Sequence, residues 1–309
     1  MTVNEHIEIF LSSIDRSDST LRHYRRLIEY WRDATDFRGR SMDDIKPADI
    51  VLYVQSLRKR DLSPATCDNY LAPVRVMFSW LSDRGITGNP TIGISRRRKR
   101  TGGQYVRLSL APDQVADLLE TLNEDSVVTA RNSAMIQLMV FTALRCIEVS
   151  RLNNSDLKHA SDHWFLSVMR KGSTDKDSRI LVPDSVAVPI NRYLAMKDDA
   201  DIAEGPLFAN HGHNGMGKRM KPAYISKIIK RHLKRIGLSG RQWSAHSLRH
   251  TAACLASTAG SEIEEIQLML GHSSMAMTTL YLRSLGLRTG TEDAAIRKID
   301  DYWQKFKKT

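Results

Sequence analysis

A chain of 309 residues, 41% hydrophobic and 26% charged, is too long for one small core and suits two domains of ordinary size. Lys and Arg outnumber Asp and Glu by 46 to 35, a formal charge of +11, which favours a polyanionic partner because each neutralised phosphate releases counterions. Cys67, Cys146 and Cys254 are far apart, which argues against a disulfide framework or a thiolate zinc site; the start lacks a secretory pattern, and runs such as 134–140 are too short for a membrane span, so a soluble intracellular protein is expected.

The first ninety-odd residues read as helices. Ser19-Thr20 is a candidate cap for a segment in which Leu21, Tyr24, Leu27, Ile28 and Trp31 recur at helical intervals. Ser63-Pro64 opens another, with Tyr70, Leu71, Val74, Met77, Phe78 and Leu81 on one stripe. Pro73 inside that stripe should kink or break the helix, and Gly85 and Gly88-Asn89-Pro90 should end it. Arg96-Arg97-Arg98-Lys99-Arg100, followed by Thr101-Gly102-Gly103, is the candidate interdomain linker, since five adjacent cations repel and do not pack. It is either a solvated connection or a basic strap on phosphates. The domain boundaries expected are 1–95, a linker at 96–107, and 108–309.

Helical periodicity resumes at Pro112 and again from Ala130 to Val140. The period then changes: His163–Met169 and Arg179–Val182 read as strands, separated by a polar turn over Lys171–Lys176. Helices return at Ser185–Met196 and Ala223–Ile236, the latter carrying Lys227, Lys230, Arg231, Lys234 and Arg235. The fold class is therefore mainly α: a helical front domain, then a mostly helical larger domain with a small antiparallel β insert.

Several residues stand out chemically. His246 and Arg249 are three apart, so a helix places them on one face, where a guanidinium and an imidazole can hold one phosphate. Arg145 lies within an apolar, helical-looking sequence and must snorkel, meet a ligand or pair with Glu148 or Asp156. Tyr281 between Leu280 and Leu282 would by itself read as a core aromatic. Gly271 and Ser273-Ser274 flank His272, which puts that histidine at a turn or helix start, within reach of a ligand. His211-Gly212-His213 has no third ligand nearby and reads as a solvated loop rather than a metal site.

Thr142-Ala143-Leu144-Arg145-Cys146-Ile147-Glu148, His246-Ser247-Leu248-Arg249-His250-Thr251, and Leu270-Gly271-His272 followed nine residues later by Tyr281 resemble the tyrosine recombinases, or phage-type integrases. Ser19–Tyr24 with Trp31, Leu62–Thr66, Phe78–Leu81 and Asn89-Pro90 resemble that family's helical, SAM-like core-binding domain, so the likeness covers nearly the whole chain. It implies that Tyr281 attacks a DNA phosphate to give a 3′-phosphotyrosyl link and a free 5′-hydroxyl. It further implies that Arg145 and Arg249 clamp the non-bridging oxygens, and that His246 and His272 hydrogen-bond the phosphate, with His246 taking the phenolic proton. A turn lysine would protonate the leaving 5′-oxygen. Lys171 in Met169-Arg170-Lys171-Gly172 fits that position best, and Lys176 is its competitor.

A phosphodiester exchanged for a phosphotyrosine conserves the bond energy, so ATP is not required. Cationic side chains supply the charge stabilisation, so neither a metal nor another cofactor is expected. The implied partners are double-stranded DNA with paired sites, a homo-tetramer built from a dimer per site, and accessory DNA-bending proteins. The expected location is cytoplasmic, at a bacterial or archaeal nucleoid. In the tail, Ala295, Ile296, Ile299, Tyr302, Trp303 and Phe306 recur at three- and four-residue steps; this helix, about 291–309, packs on its own domain or docks on a neighbouring protomer. The core-binding likeness begins almost at Met1, so an arm-binding extension is not expected and a compact, Xer-like or mobile-element recombinase is. The alternatives are a type IB topoisomerase and a catalytically silent DNA-binding relative.

Overall fold

A computed structural model describes residues 1–37, 39–94, 108–197, 204–212, 215–272 and 274–284. The chain forms two compact units, Met1–Gly103 and Gln104–Thr309. The predicted basic linker and the tail helix both lie outside the described residues.

The first unit contains helices α1 (Val3–Ser13), α2 (Asp18–Ala34), α3 (Pro47–Lys59) and α4 (Pro64–Ser82). Thr2 and Glu5 close a capping box on α1, satisfying backbone N–H groups that the first turn leaves without helical partners. The cap of α2 is Ser17, not Ser19-Thr20: the Ser17 hydroxyl accepts from the Thr20 backbone N–H, so the helix begins at Asp18. Ser63 caps α4 with Pro64 in its first turn, as the sequence predicts. Pro73 does not break α4. An interior proline costs roughly 3 kcal/mol, but Pro73 is buried on a helix packed against α1, α2 and α3, and that burial offsets the lost hydrogen bond. Trp31 centres the core, with edge-on contacts to Phe37 and Phe78 at ring-centroid distances of 5.4 and 5.6 Å.

The second unit is built around α6 (Val127–Thr142), which is buried on nearly all sides and packs against α8 (Asp184–Ala195) and α10 (Ala245–Thr258). Its buried Arg131 is satisfied by the Ala209 carbonyl at 3.0 Å and by Asn132. The other helices are α5 (Pro112–Glu120), α7 (Cys146–Ser150), α9 (Pro222–Arg235), α11 (Ile263–Leu270) and α12 (Met275–Ser284). A three-stranded antiparallel sheet runs in the order β1 (Leu157–Ala160), β2 (His163–Val168), β3 (Ser178–Val182).

Strand β1 is an addition to the two predicted strands. Its four residues carry almost no alternation, and its hairpin turns on Ser161 and Asp162, both with positive φ (50° and 63°). A two-residue turn of that hand is normally announced by Asn-Gly or Asp-Gly, and this sequence lacks that signal.

Arg145 is also relocated. It does not lie inside a helix, because α6 stops at Thr142, Ala143 adopts a left-handed conformation (φ 57°), and Arg145 becomes the cap of α7. A non-glycine residue there costs roughly 1–2 kcal/mol. The buried Ala143 methyl recovers part of it in a small cluster with Ala252, Ala253, Ile266, Leu270 and Leu282.

Candidate active site

The α6–α7 break, the exposed face of α10, the loop after α11 and helix α12 meet around one polar centre. Arg249 is its buried core, only 1% exposed. One guanidinium nitrogen donates to the Ala143 carbonyl at 2.7 Å and the other to the Leu270 carbonyl, so it ties the α6 break to the end of α11. This explains the left-handed Ala143, which turns its carbonyl toward Arg249. Burial, then the nearby Arg145 charge, lowers the Arg249 pKa to about 10, so it remains a cation at neutral pH.

Arg145 pairs with Glu148, one of the two carboxylates named for it above: Nη1 donates to Oε1 at 2.8 Å, and the Arg145 backbone N–H donates to Oε2 at 2.8 Å. Glu148 is fully buried. The same Oε1 accepts the Lys171 backbone N–H at 3.2 Å, which brings the β2–β3 turn to the site. The Lys171 side chain is exposed. Lys176, its competitor, is engaged elsewhere, with its ammonium 2.5 Å from Asp156.

Tyr281 lies among imidazoles of its own chain. Its ring stacks on His250 (4.9 Å, 9° between planes) and meets His272 edge-on at 5.4 Å. His246, exposed on α10, makes an edge contact of 4.7 Å with His250. Burial pushes the Tyr281 pKa up, while Arg249 and Arg145 pull against it. A phenol in this setting needs a base to take its proton when it attacks.

His272 follows Gly271, the left-handed cap of α11 (φ 57°), and its Nδ1 lies 3.1 Å from the Thr278 hydroxyl on α12. Burial, then Arg249 and Arg145, lower its pKa to about 4, so it is neutral at physiological pH. The unfolded chain, with a histidine near 6.5, binds protons more readily, so this group's contribution to stability is complete above 6.5 and is lost as pH falls toward 4. An NMR titration of the His272 ring in the DNA-free protein should place its midpoint near 4; a midpoint near 6.5 would show that the ring is not buried beside the two arginines.

Five predicted residues thus meet: Arg145, His246, Arg249, His272 and Tyr281. Lys171 is tethered beside them through its backbone. Sequence reasoning gave no site role to His250, Thr278, Arg170 or Glu148, although it named Glu148 as a pairing partner. The adjacency of His250 to Arg249 was the available signal for one of them. His211 belongs elsewhere: its Nε2 lies 3.0 Å from the Tyr193 hydroxyl, so it is not simply solvated, and His213 lies outside the described residues. Among the described residues no group of three His, Cys, Asp or Glu side chains is arranged to hold a metal.

Two guanidiniums, several imidazoles and a phenol thus share one site, and that donor set suits the chemistry of a phosphate. Fold and site together define an enzyme that breaks and rejoins phosphodiesters through tyrosine. The chain belongs to the phage integrase family, whose model matches residues 109–286, and the model of the phage integrase N-terminal SAM-like domain matches residues 4–85. Among curated proteins, tyrosine recombinase XerC of Roseiflexus sp. (strain RS-1) is 27% identical over 293 residues, covering 90% of this chain and 89% of its own. Tyrosine recombinase XerD of Oceanobacillus iheyensis is 28% identical over 274 residues, with coverages of 86% and 87%. Among solved structures, the Tn1549 transposon integrase in complex with transposon right end DNA superposes with a TM-score of 0.75 at 19% identity, covering 97% of this chain and 99% of that one. The XerH recombinase bound to palindromic difH substrate gives 0.68 at 20% identity, with coverages of 85% and 76%.

Proposed function

We infer that this chain is a site-specific DNA recombinase that cleaves and rejoins strands through a 3′-phosphotyrosyl intermediate on Tyr281. The observation that carries the reading is the placement of Tyr281 in its own chain's cluster, against His250 and His272 and within the field of Arg249 and Arg145. The phenolic oxygen attacks the scissile phosphorus, forming the O–P bond as the bond from phosphorus to the 5′-oxygen breaks. His246, on the exposed face of α10, takes the phenolic proton. Lys171 gives a proton to the departing 5′-oxygen. Arg145 and Arg249 hold the non-bridging oxygens as charge grows on them. The return attack by a 5′-hydroxyl runs the same steps backward, so no energy source is consumed.

The partner is double-stranded DNA. Beyond the catalytic cluster, Lys227, Lys230, Arg231, Lys234 and Arg235 of α9 are all exposed, while Ile225, Ile228, Ile229 and Leu233 face the core, leaving a cationic face for phosphates. In the same reading the chain acts as a dimer at each site and a tetramer across two, at a bacterial or archaeal nucleoid, with DNA-bending proteins assisting, on a mobile element or in resolution of a chromosome. The λ integrase dimer bound to a core site supports the dimeric arrangement by analogy of fold. Deleting residues 291–309 should weaken joint binding of two sites while sparing cleavage of a single nicked site. Unchanged two-site assembly would remove the tail from this role.

The test of the reading is covalent capture. The full chain is mixed with a pool of nicked duplexes randomised around the nick, and detergent-resistant protein–DNA adducts are recovered. Adducts joined through Tyr281 to a DNA 3′ end are expected; recovery of none would sink the proposal. Joining of two captured sites, rather than relaxation of one supercoiled circle, separates recombination from topoisomerase activity.

A further inference from the structure

The residue before Lys171 is a largely covered arginine that the mechanism above does not use. The Arg170 side chain is 12% exposed. Its Nε donates to the Ser178 hydroxyl of β3 at 3.3 Å, which braces the turn across its own hairpin. Its Nη2 donates to the carbonyls of Leu268 and Met269, at 3.4 and 3.3 Å, in the last turn of α11. Cationic donors suit that end of a helix, where carbonyls lack helical partners. Its Nη1 is buried without a hydrogen-bond partner and lies 3.7 Å from Glu148 Oε2. Glu148 in turn holds the Arg145 guanidinium and the Lys171 backbone.

Gly271 completes the fit. A Cβ at that position would come within 2.9–3.1 Å of Arg170 Nε, Cδ and Cζ, so the loop leading to His272 is pressed directly onto the Arg170 side chain.

We propose that Arg170 is a positioning residue for the strand-cleavage reaction: it clasps the hairpin that carries Lys171 to the Glu148 carboxylate on one side and to the end of α11 on the other. The group placed by this clasp is Lys171: Arg145 keeps its own two bonds to Glu148, and Arg170 sets the general acid's hairpin against that frame. The fork geometry is what the role requires, since three partners in different directions are met by a planar guanidinium and not by an ammonium. Burial lowers the Arg170 pKa from its ordinary value, Glu148 opposes the shift, and a desolvated cation of this kind is costly to keep. The inference rests on the recombinase reading and on Lys171 as the general acid.

The experiment uses the full-length chain and the nicked duplex captured above, prepared with either oxygen or sulfur as the 5′-bridging atom at the scissile phosphate. A thiolate leaves without protonation, so sulfur bypasses the general acid. The wild type should form the adduct with both substrates; failure on both overturns the recombinase reading itself. Lys171→Ala should fail on oxygen and recover on sulfur.

Arg170→Met keeps the apolar stem and loses the fork. It should slow cleavage of the oxygen substrate by about 10–100-fold, less than the ~10²–10⁴ that the general acid itself supplies, because Lys171 is misplaced and not removed. It should approach the wild-type rate on sulfur. Arg170→Lys should retain the defect on oxygen and the same recovery on sulfur, which excludes simple loss of charge. Equal loss on both substrates, for both variants, would assign Arg170 to folding or DNA binding, and unchanged rates on oxygen would remove it from the reaction; either result overturns the proposal.

Discussion

Replacing Tyr281 by Phe should abolish covalent capture of DNA while leaving the fold and DNA binding in place. The ring is what the surroundings hold: it stacks on His250 at 4.9 Å and meets His272 at 5.4 Å, and phenylalanine preserves both contacts. Removing the hydroxyl should change stability by no more than about 1 kcal/mol. The chemistry loses its only proposed nucleophile, because the guanidiniums and imidazoles around it stabilise charge or move protons but form no phosphotyrosine. Adduct recovery, duplex binding and thermal melting together check the expectation. Adduct formed by the Phe variant at anything near the wild-type rate would move the nucleophile elsewhere and dismantle the assignment. Burial raises the phenol's pKa, so at neutral pH the hydroxyl is protonated in the DNA-free enzyme and attack depends on transfer to a base.

Arg249 carries the second large effect, and here structure and chemistry are lost together. Truncation to Ala leaves the buried carbonyls of Ala143 and Leu270 without the donors that now meet them. An unsatisfied buried group costs about 1–3 kcal/mol, part of it returned by no longer burying a cation. The melting temperature should fall by several degrees, since 1 kcal/mol corresponds to about 2–4 °C in a domain of this size. Cleavage at a temperature where both proteins are folded should fall by at least ~10²–10³, the usual loss when one pre-organised donor to a developing oxyanion is removed. Arg249→Lys is the discriminating variant. It keeps the positive charge but cannot span both carbonyls, so the cleavage loss should persist. Wild-type cleavage by the Lys variant would mean that charge alone suffices at this position.

The sequence carries its own local rules well. Apolar recurrence locates α2, α4 and α6, Ser63-Pro64 marks the start of α4, and the motifs around Arg145, His246, Arg249, His272 and Tyr281 carry the resemblance to the tyrosine recombinases. It misjudged places where a local rule is overridden from a distance. Pro73 continues α4 because its surroundings bury it. Ala143 turns left-handed because its carbonyl serves Arg249, 106 residues away. The Ser161–Asp162 hairpin forms without glycine, so β1 gave no warning.

By itself, then, the amino-acid order determined the helical class of the protein and carried the motifs by which it resembles the tyrosine recombinases, because helix periodicity and motif spacing are properties of neighbours along the chain. Only the tertiary structure decided how those residues are held: Glu148 gathering Arg145 and the Lys171 backbone, His250 stacked under Tyr281, and Arg170 reaching the end of α11 from 98 residues away. Such contacts depend on where packed elements bring distant segments together, and no local pattern encodes a distance between them.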